Sequence, residues 1–424
     1  MRSRLACLVP AALVVALLIF DSSALAQDAA QHQHPPDAAA PSSWHLMQDG
    51  IAFFNFNDQG GPRGGREFGV QNWWMGMAQR PFAGGMLQLN LMMSLDPATL
   101  GKDGYREIFQ VGETLDGQPL IDRQHPHEFL MQAAAIWRRP LSRGYSLILA
   151  AAPVGEPSLG PVAFMHRSSA SENPTAPLAH HTFDSTHIAM GVLTAAVDRG
   201  PFQVESSLFH GGEPDEQRWD LMDAGAFDSW SVRGWYRPSS AVTFQLSHGF
   251  LTQPEALEEG DVKRTTASVT WVLAGAGRQT ATTAAYGRNA KLDGDYNALL
   301  LESTHRFGSN AIYGRFEAAQ VETGVLRFGS HLFRGNTKAF RAHVSDSSGE
   351  IAAVNALTVG GARTLARPSG WDVGAGADVT FYKVPTILQP THGERPVSFH
   401  VFLRVRPPAP MGRMVDVVMS RIGG

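Results

Sequence analysis

The chain has a single cysteine among 424 residues, Cys7. It therefore forms no intrachain disulfide. Cys7 also lies in an N-terminal stretch that reads as removable, so the mature chain has no thiolate metal ligand and no cysteine nucleophile. Charge is scarce too: 17% of residues are charged and the formal net charge is −4. A nucleic-acid partner would call for a basic excess, and none is present. Beyond residue 26 there is no run of eighteen apolar residues, which excludes a membrane-crossing helix. Helical periodicity is scarce, no repeat of propeller type occurs, and neither an H-E-x-x-H nor a C-x-x-C motif is found. Stability must come from burial or from a closed sheet.

The N-terminus reads as a secretory signal over 1–26. Arg2 and Arg4 supply a positive start, Leu8 to Phe20 is apolar, and small residues "ALA" at 24–26 precede Gln27. Residues 27–46 read as a polar, Ala/Pro-rich disordered linker containing "QHQH" at 31–34.

What recurs after that is alternation with period two, the mark of strands with two different faces. In "MLQLNLMMSL" (86–95), Leu87, Leu89, Leu91, Met93 and Leu95 share one face, and Gln88, Asn90 and Ser94 the other. In "FHVFLRVR" (399–406), Phe399, Val401, Leu403 and Val405 oppose His400, Arg404 and Arg406. The same pattern places strands near 49–57, 68–79, 86–95, 127–138, 144–153, 187–198, 201–210, 229–237, 241–250, 263–273, 279–288, 296–306, 311–321, 354–364, 370–382 and 397–406. That makes about sixteen, an even number suited to a single-chain membrane barrel.

Connections sharpen the reading. Tight turns rich in Gly, Pro, Ser and Asn alternate with long links at 96–126, 154–186, 211–228, 251–262, 322–353 and 383–396. In an up-and-down barrel every second connection shares a rim, so one rim is short and the other bears loops. A strand in hydrocarbon must satisfy its backbone through neighbours, so the sheet must close. The expected fold is therefore all-β, a closed antiparallel transmembrane barrel over 47–406. A C-terminal tail, 407–424, follows it. Trp73, Trp74, Trp137, Trp230, Trp235, Tyr236, Trp371 and Tyr382 are placed to form interfacial girdles. Gln88, Asn90, Arg233, Arg237, Gln245, Arg315, Glu317, Asp372, Asp378, His400 and Arg404 are expected to face inward.

Two loops on one rim concentrate histidine. "IDRQHPHEF" (121–129) holds Asp122, His125, His127 and Glu128; "FMHRSS" and "PLAHHTFDSTHI" hold Met165, His166, His180, His181, Asp184 and His187. The loops join successive strands, so they can meet in space. His125, His127, His166, His180, His181 and His187 are the candidate ligands for a divalent transition metal, Cu or Zn, as imidazoles suit either. His180 and His181 point apart in an extended chain, so one of them at most is expected in a given site. The competing readings are histidines that hydrogen-bond inside a packed loop, and a hydrolase built on Asp184, Ser185 and His187 or on Ser247–His248. Side chains so close in sequence seldom converge into a triad, and strand neighbours face opposite ways. No catalytic residue is assigned.

"DRQHPHEF", "GPVAFMHRSSASENPTAPLAHHTFDSTHI" and "GGEPDEQRWD" together resemble a porin-like family of outer-membrane β-barrels exported by Gram-negative bacteria. The resemblance covers most of 44–406. It implies export and a barrel and brings no activity or functional residue with it. The expected function is a channel or transporter for small solutes or ions, with the lipid bilayer as partner. The alternatives are a metal-binding surface barrel and a barrel-borne hydrolase.

Overall fold

The computed structural model describes residues 44–184, 189–221, 225–255, 260–328 and 351–408. The signal assignment, nearly all of the linker and most of the C-terminal tail lie outside these. The strands are β1 (His45–Gln59), β2 (Gly65–Phe82), β3 (Gly85–Met93), β4 (Tyr105–Leu115), β5 (Gln118–Gln124), β6 (Leu130–Pro140), β7 (Tyr145–Gly155), β8 (Ala189–Arg199) and β9 (Phe202–Phe209). They continue with β10 (Ser229–Ser239), β11 (Val242–Leu251), β12 (Val262–Gly275), β13 (Arg278–Ala290), β14 (Asp295–Phe307), β15 (Asn310–Val321), β16 (Ala352–Ala366), β17 (Asp372–Lys383) and β18 (Val397–Arg406).

All but β4 and β5 form one closed antiparallel barrel, in which each strand pairs with its chain neighbours and β18 returns to β1. Closure leaves no edge strand with unpaired backbone groups. The closing register runs from Ala52 opposite Val405 to Asp58 opposite Phe399. Each of the sixteen expected strands overlaps a barrel strand, though β1 starts at His45, two residues inside the expected linker. The strand ending at Arg406 does close the barrel, so the chain beyond it is a tail. Among the described residues, strands β4 and β5 pair only with each other, and they lie within a stretch expected to be a loop.

The rims are unequal, as the connections implied. Turns at 83–84 and 276–277 take only two residues, with Ala83 and Ala276 at φ 49° and 48° and Gly84 and Gly277 at 73° and 75°. Two consecutive positive φ values are what a type I′ hairpin turn requires. The opposite rim bears the long loops, with two short links among them, 60–64 and 291–294.

Alternation sorts the side chains. On β18, Val397, Phe399, Val401 and Leu403 are exposed outward, while Ser398, His400, Phe402 and Arg404 are buried inside. Leu193, Val204, Leu246, Leu299, Ile312 and Val359 continue the outer apolar surface across β8, β9, β11, β14, β15 and β16. An apolar surface that continues from strand to strand exceeds the patch a water-soluble monomer tolerates and suits hydrocarbon.

The aromatic girdle needs correction at three positions. Trp74, Trp230, Tyr236 and Trp371 are exposed on the outside, and Trp137 lies opposite the outward Leu87 and Leu149. Trp73, Trp235 and Tyr382 face inward. Trp73 must oppose Trp74 on a pleated strand, and its ring meets that of His166 at 5.0 Å. Trp235 donates its indole N–H to Glu205 and lies between the guanidinium groups of Arg233 and Arg237. Tyr382 packs on Phe109 at 5.3 Å between ring centroids.

Candidate functional site

The residues expected to face inward line the inner wall, and most are paired there. Arg233 bonds Glu205 at 2.7 Å, Arg237 reaches Gln203, Gln245 bonds Thr266, and Asp378 takes a 2.7 Å bond from His400. Gln88 donates to Asn90, and Asn90 to Gln132. Asp372 lies 3.5 Å from Arg404. A charge on the wall of a barrel is costly to desolvate unless it is paired, and both signs are interleaved here accordingly.

The loop between β7 and β8 does not stand out from its rim. It runs inward across the lumen, and nearly every residue from 157 to 184 is buried or nearly so. Its near end hangs on the β9 and β11 walls: Ser158 N–H donates to Ser207 Oγ at 2.8 Å and Gly160 N–H to Ser247 Oγ at 2.9 Å. Its middle reaches the far wall. Arg167 pairs with Asp184 of the same loop at 3.0 Å and with Glu302 of β14 at 2.6 Å. Arg315 of β15 donates to the carbonyls of Thr175 and Ala176, both at 3.0 Å, and Glu317 accepts from Ala179 N–H. Glu172 receives three cations: Arg404 at 2.7 Å, Arg306 at 3.1 Å and Arg406 at 3.2 Å. These long-range bonds fold the loop in.

The β4–β5 hairpin lies against this loop. Tyr105 Oη accepts from Ala176 N–H, and Gln110 donates to the carbonyl of Pro177 at 3.0 Å. Phe109 stacks on His392 at 4.7 Å, in a left-handed conformation with φ 73°. Such a conformation is a genuine outlier for a bulky residue and persists only where surrounding contacts impose it. Asp122 imposes it, accepting from Phe109 N–H and from His392, both at 2.9 Å, and pairing with Arg63. Asp122 thus serves as a loop clasp.

The candidate histidines part company. His125, His180 and His181 come together, with one ligand nitrogen from each lying within 4.8 Å of the others. Adjacent residues can share the site because the chain is not extended there. His180 and His181 open a single helical turn, α1 (His180–Phe183), and their rings meet at 4.0 Å. The expectation that only one could join is corrected by that turn. His127 is engaged elsewhere: its Nδ1 lies 2.7 Å from Asp96, a buried carboxylate that also accepts from Asn72 N–H of β2. It ties the start of the β3–β6 loop to the wall. His166 packs against Trp73, and His187 and Ser185 lie outside the described residues. Burial holds His125 well below the usual histidine range and lowers His166 and His181 to about 4, so all three rings are neutral at pH 7.

Of the hydrolase candidates, the Ser247–His248 pair does not assemble, and the set with Asp184 includes Ser185 and His187, which lie outside the described residues. Asp184 is spent on Arg167. Ser247 faces the lumen, while His248 points outward to Thr265.

Two features escaped the sequence reading. The first is the ion network of Arg167, Glu172, Glu302, Arg306 and Arg406, whose loop-to-wall partners are 134, 135 and 234 positions apart. No local pattern encodes it. The second is a methionine cluster of Met75, Met77, Met92, Met131, Met165 and Met190, packed beside Trp73. Met75 and Met77 stand two apart on one face of β2, so the spacing was a usable signal. Flexible thioether side chains suit an irregular contact between a wall and a folded-in loop.

No protein-family model matches the sequence, and no curated protein does either. Solved structures do. The anion-selective porin from Comamonas acidovorans is similar with a TM-score of 0.51 and 10% identity, covering 86% of this chain and 100% of that one. OprB from Pseudomonas putida is similar with a TM-score of 0.51 and 10% identity, covering 86% and 94%. Salmonella typhi OmpF in complex with daunomycin is similar with a TM-score of 0.50 and 8% identity, covering 85% and 97%. At such identities the likeness is one of architecture: this chain has the sixteen-stranded barrel fold of the outer-membrane porins.

Proposed function

We propose that the chain is exported through a cleaved signal peptide, inserts into the outer membrane and acts as a porin-like channel for small solutes or ions, without enzymatic activity. One observation carries the reading: a closed barrel, apolar outside, whose interior is polar and crossed by one folded-in loop. On the inner wall, Gln79, Gln88, Asn90, Gln132, Arg138 and Arg237 are only half-buried. Polar inner side chains left partly accessible are what a water-filled passage needs. The loop narrows the passage, and its charges decide which ions pass.

Purified mature protein in planar bilayers tests this. Discrete, reproducible conductance steps are expected. A membrane that stays silent over the protein concentrations at which other barrels insert and conduct would overturn the channel reading. Cell fractionation tests the location separately: the protein is expected with outer membranes after a high-salt wash, since apolar area holds it rather than charge. Recovery as a soluble monomer would contradict insertion.

A further inference from the structure

We propose that His125, His180 and His181 form a binding site for a late transition-metal ion, Zn²⁺ or Cu²⁺, that ties the β3–β6 loop to the loop crossing the lumen. His125 follows β5 in the β3–β6 loop, and His180 and His181 sit on the loop between β7 and β8. A single ion held by all three would cross-link segments far apart in sequence.

Geometry favours a site over a chance stack of rings. The His125 Nδ1 lies 3.1 Å from the carbonyl of Pro126. A carbonyl accepts and does not donate, so this bond fixes the proton on Nδ1 and puts the ring's lone pair on Nε2. The same arrangement, one ring nitrogen bonded to a carbonyl and the other to metal, orients the histidine ligands of most metal sites. His181 presents a buried Nε2 with no hydrogen-bond partner. A buried polar atom without a partner is costly, and a ligand is one remedy. His180 is 1% exposed, and its ring lies 6.4 Å from that of His125 and 4.0 Å from that of His181.

Metal–nitrogen bonds of about 2.0–2.1 Å place tetrahedral ligands roughly 3.4 Å apart. The nitrogens, within 4.8 Å of one another, need to close by about 1.4 Å at most, which ring rotations supply. The donor set selects the ion. Three neutral imidazoles with no carboxylate suit zinc or copper and do not suit calcium or magnesium, which require oxygen. Three ligands leave a fourth position for water or a solute.

The test is calorimetric titration of chelator-treated full-length protein in detergent with Zn²⁺ and Cu²⁺, with Ca²⁺ as a control. A His32→Ala/His34→Ala background removes the imidazoles of "QHQH". One saturable equivalent of Zn²⁺ or Cu²⁺ and none of Ca²⁺ is expected. His181→Ala should weaken binding by about a hundredfold, and His181→Cys, which restores a ligand, should recover zinc binding. His127→Ala, outside the set, should leave the affinity unchanged. Absence of stoichiometric binding overturns the proposal, and so does equal affinity in His181→Ala. Because Cys rescues only through coordination, recovery separates lost ligation from a disturbed loop. The readout is binding, so it stands whether or not the barrel conducts.

Discussion

Replacing Glu172 by Gln should loosen the loop from the barrel wall and shift the lumen toward anions. Glu172 is 1% exposed and faces Arg404 at 2.7 Å, Arg306 at 3.1 Å and Arg406 at 3.2 Å. The amide keeps the shape and removes the charge. Breaking one side of a buried ion pair costs about 3–5 kcal/mol, because the stranded charge stays desolvated. The low end applies here. Arg306 is partly exposed and also bonds Gln279, Arg404 lies near Asp372, and Arg406 donates to the carbonyl of Ser171. About 3 kcal/mol is a factor of roughly a hundred in the docked-to-undocked ratio of the loop. Two assays read it. Limited proteolysis should cut the variant within the 156–184 segment at least tenfold faster than the parent, with the strands intact. In bilayers under a salt gradient, the reversal potential should move toward the anion value, since the lumen gains one net positive charge. Arg306→Gln, at the more exposed partner, should have a smaller effect on proteolysis. A Glu172→Gln protein with the parent's cleavage rate and reversal potential would refute the claim that these ion pairs hold the loop and set the field.

Leu89→Arg should cost roughly 2–4 kcal/mol near mid-bilayer, whereas Asn90→Arg faces the lumen and should be far milder; refolding into vesicles followed by denaturant titration compares them, and equal damage would contradict the face assignment. Ala276→Asn should stabilise by about 0.5–1 kcal/mol, because asparagine accepts the left-handed backbone that alanine holds at φ 48°; a lower unfolding midpoint would show that the turn is not type I′. Acid should weaken loop docking through His166. Its burial lowers the native pKa from 6.5 to about 4, so the undocked ring binds more protons than the native one between those values. The stability present above pH 6.5 is lost as pH falls toward 4, and levels off below. His166→Phe should flatten that part of the profile, measured as protease resistance of the loop against pH. An unchanged slope would place the titrating group elsewhere.

The barrel was legible in the sequence because its determinants are local. Period-two alternation in segments such as 86–95 and 399–406 assigns each side chain to lipid or lumen without knowledge of the partner strand, and short turns against long loops assign the rims. Closure follows from the cost of an unpaired edge in hydrocarbon. Adjacent aromatics marked the limit of that logic. The pair Trp73–Trp74 must split between faces, and only packing against His166 shows which one turns inward. The histidines were visible as a cluster in two loops on one rim. Which of them meet was decided by tertiary structure: the helical turn that brings His180 beside His181, and the Asp96 carboxylate that takes His127 away. The inward path of the loop was decided the same way. It depends on Arg167 finding Glu302 and Glu172 finding Arg404 and Arg406 across more than a hundred residues, and the energy of a buried charge pair depends on distance and desolvation, which no local pattern records.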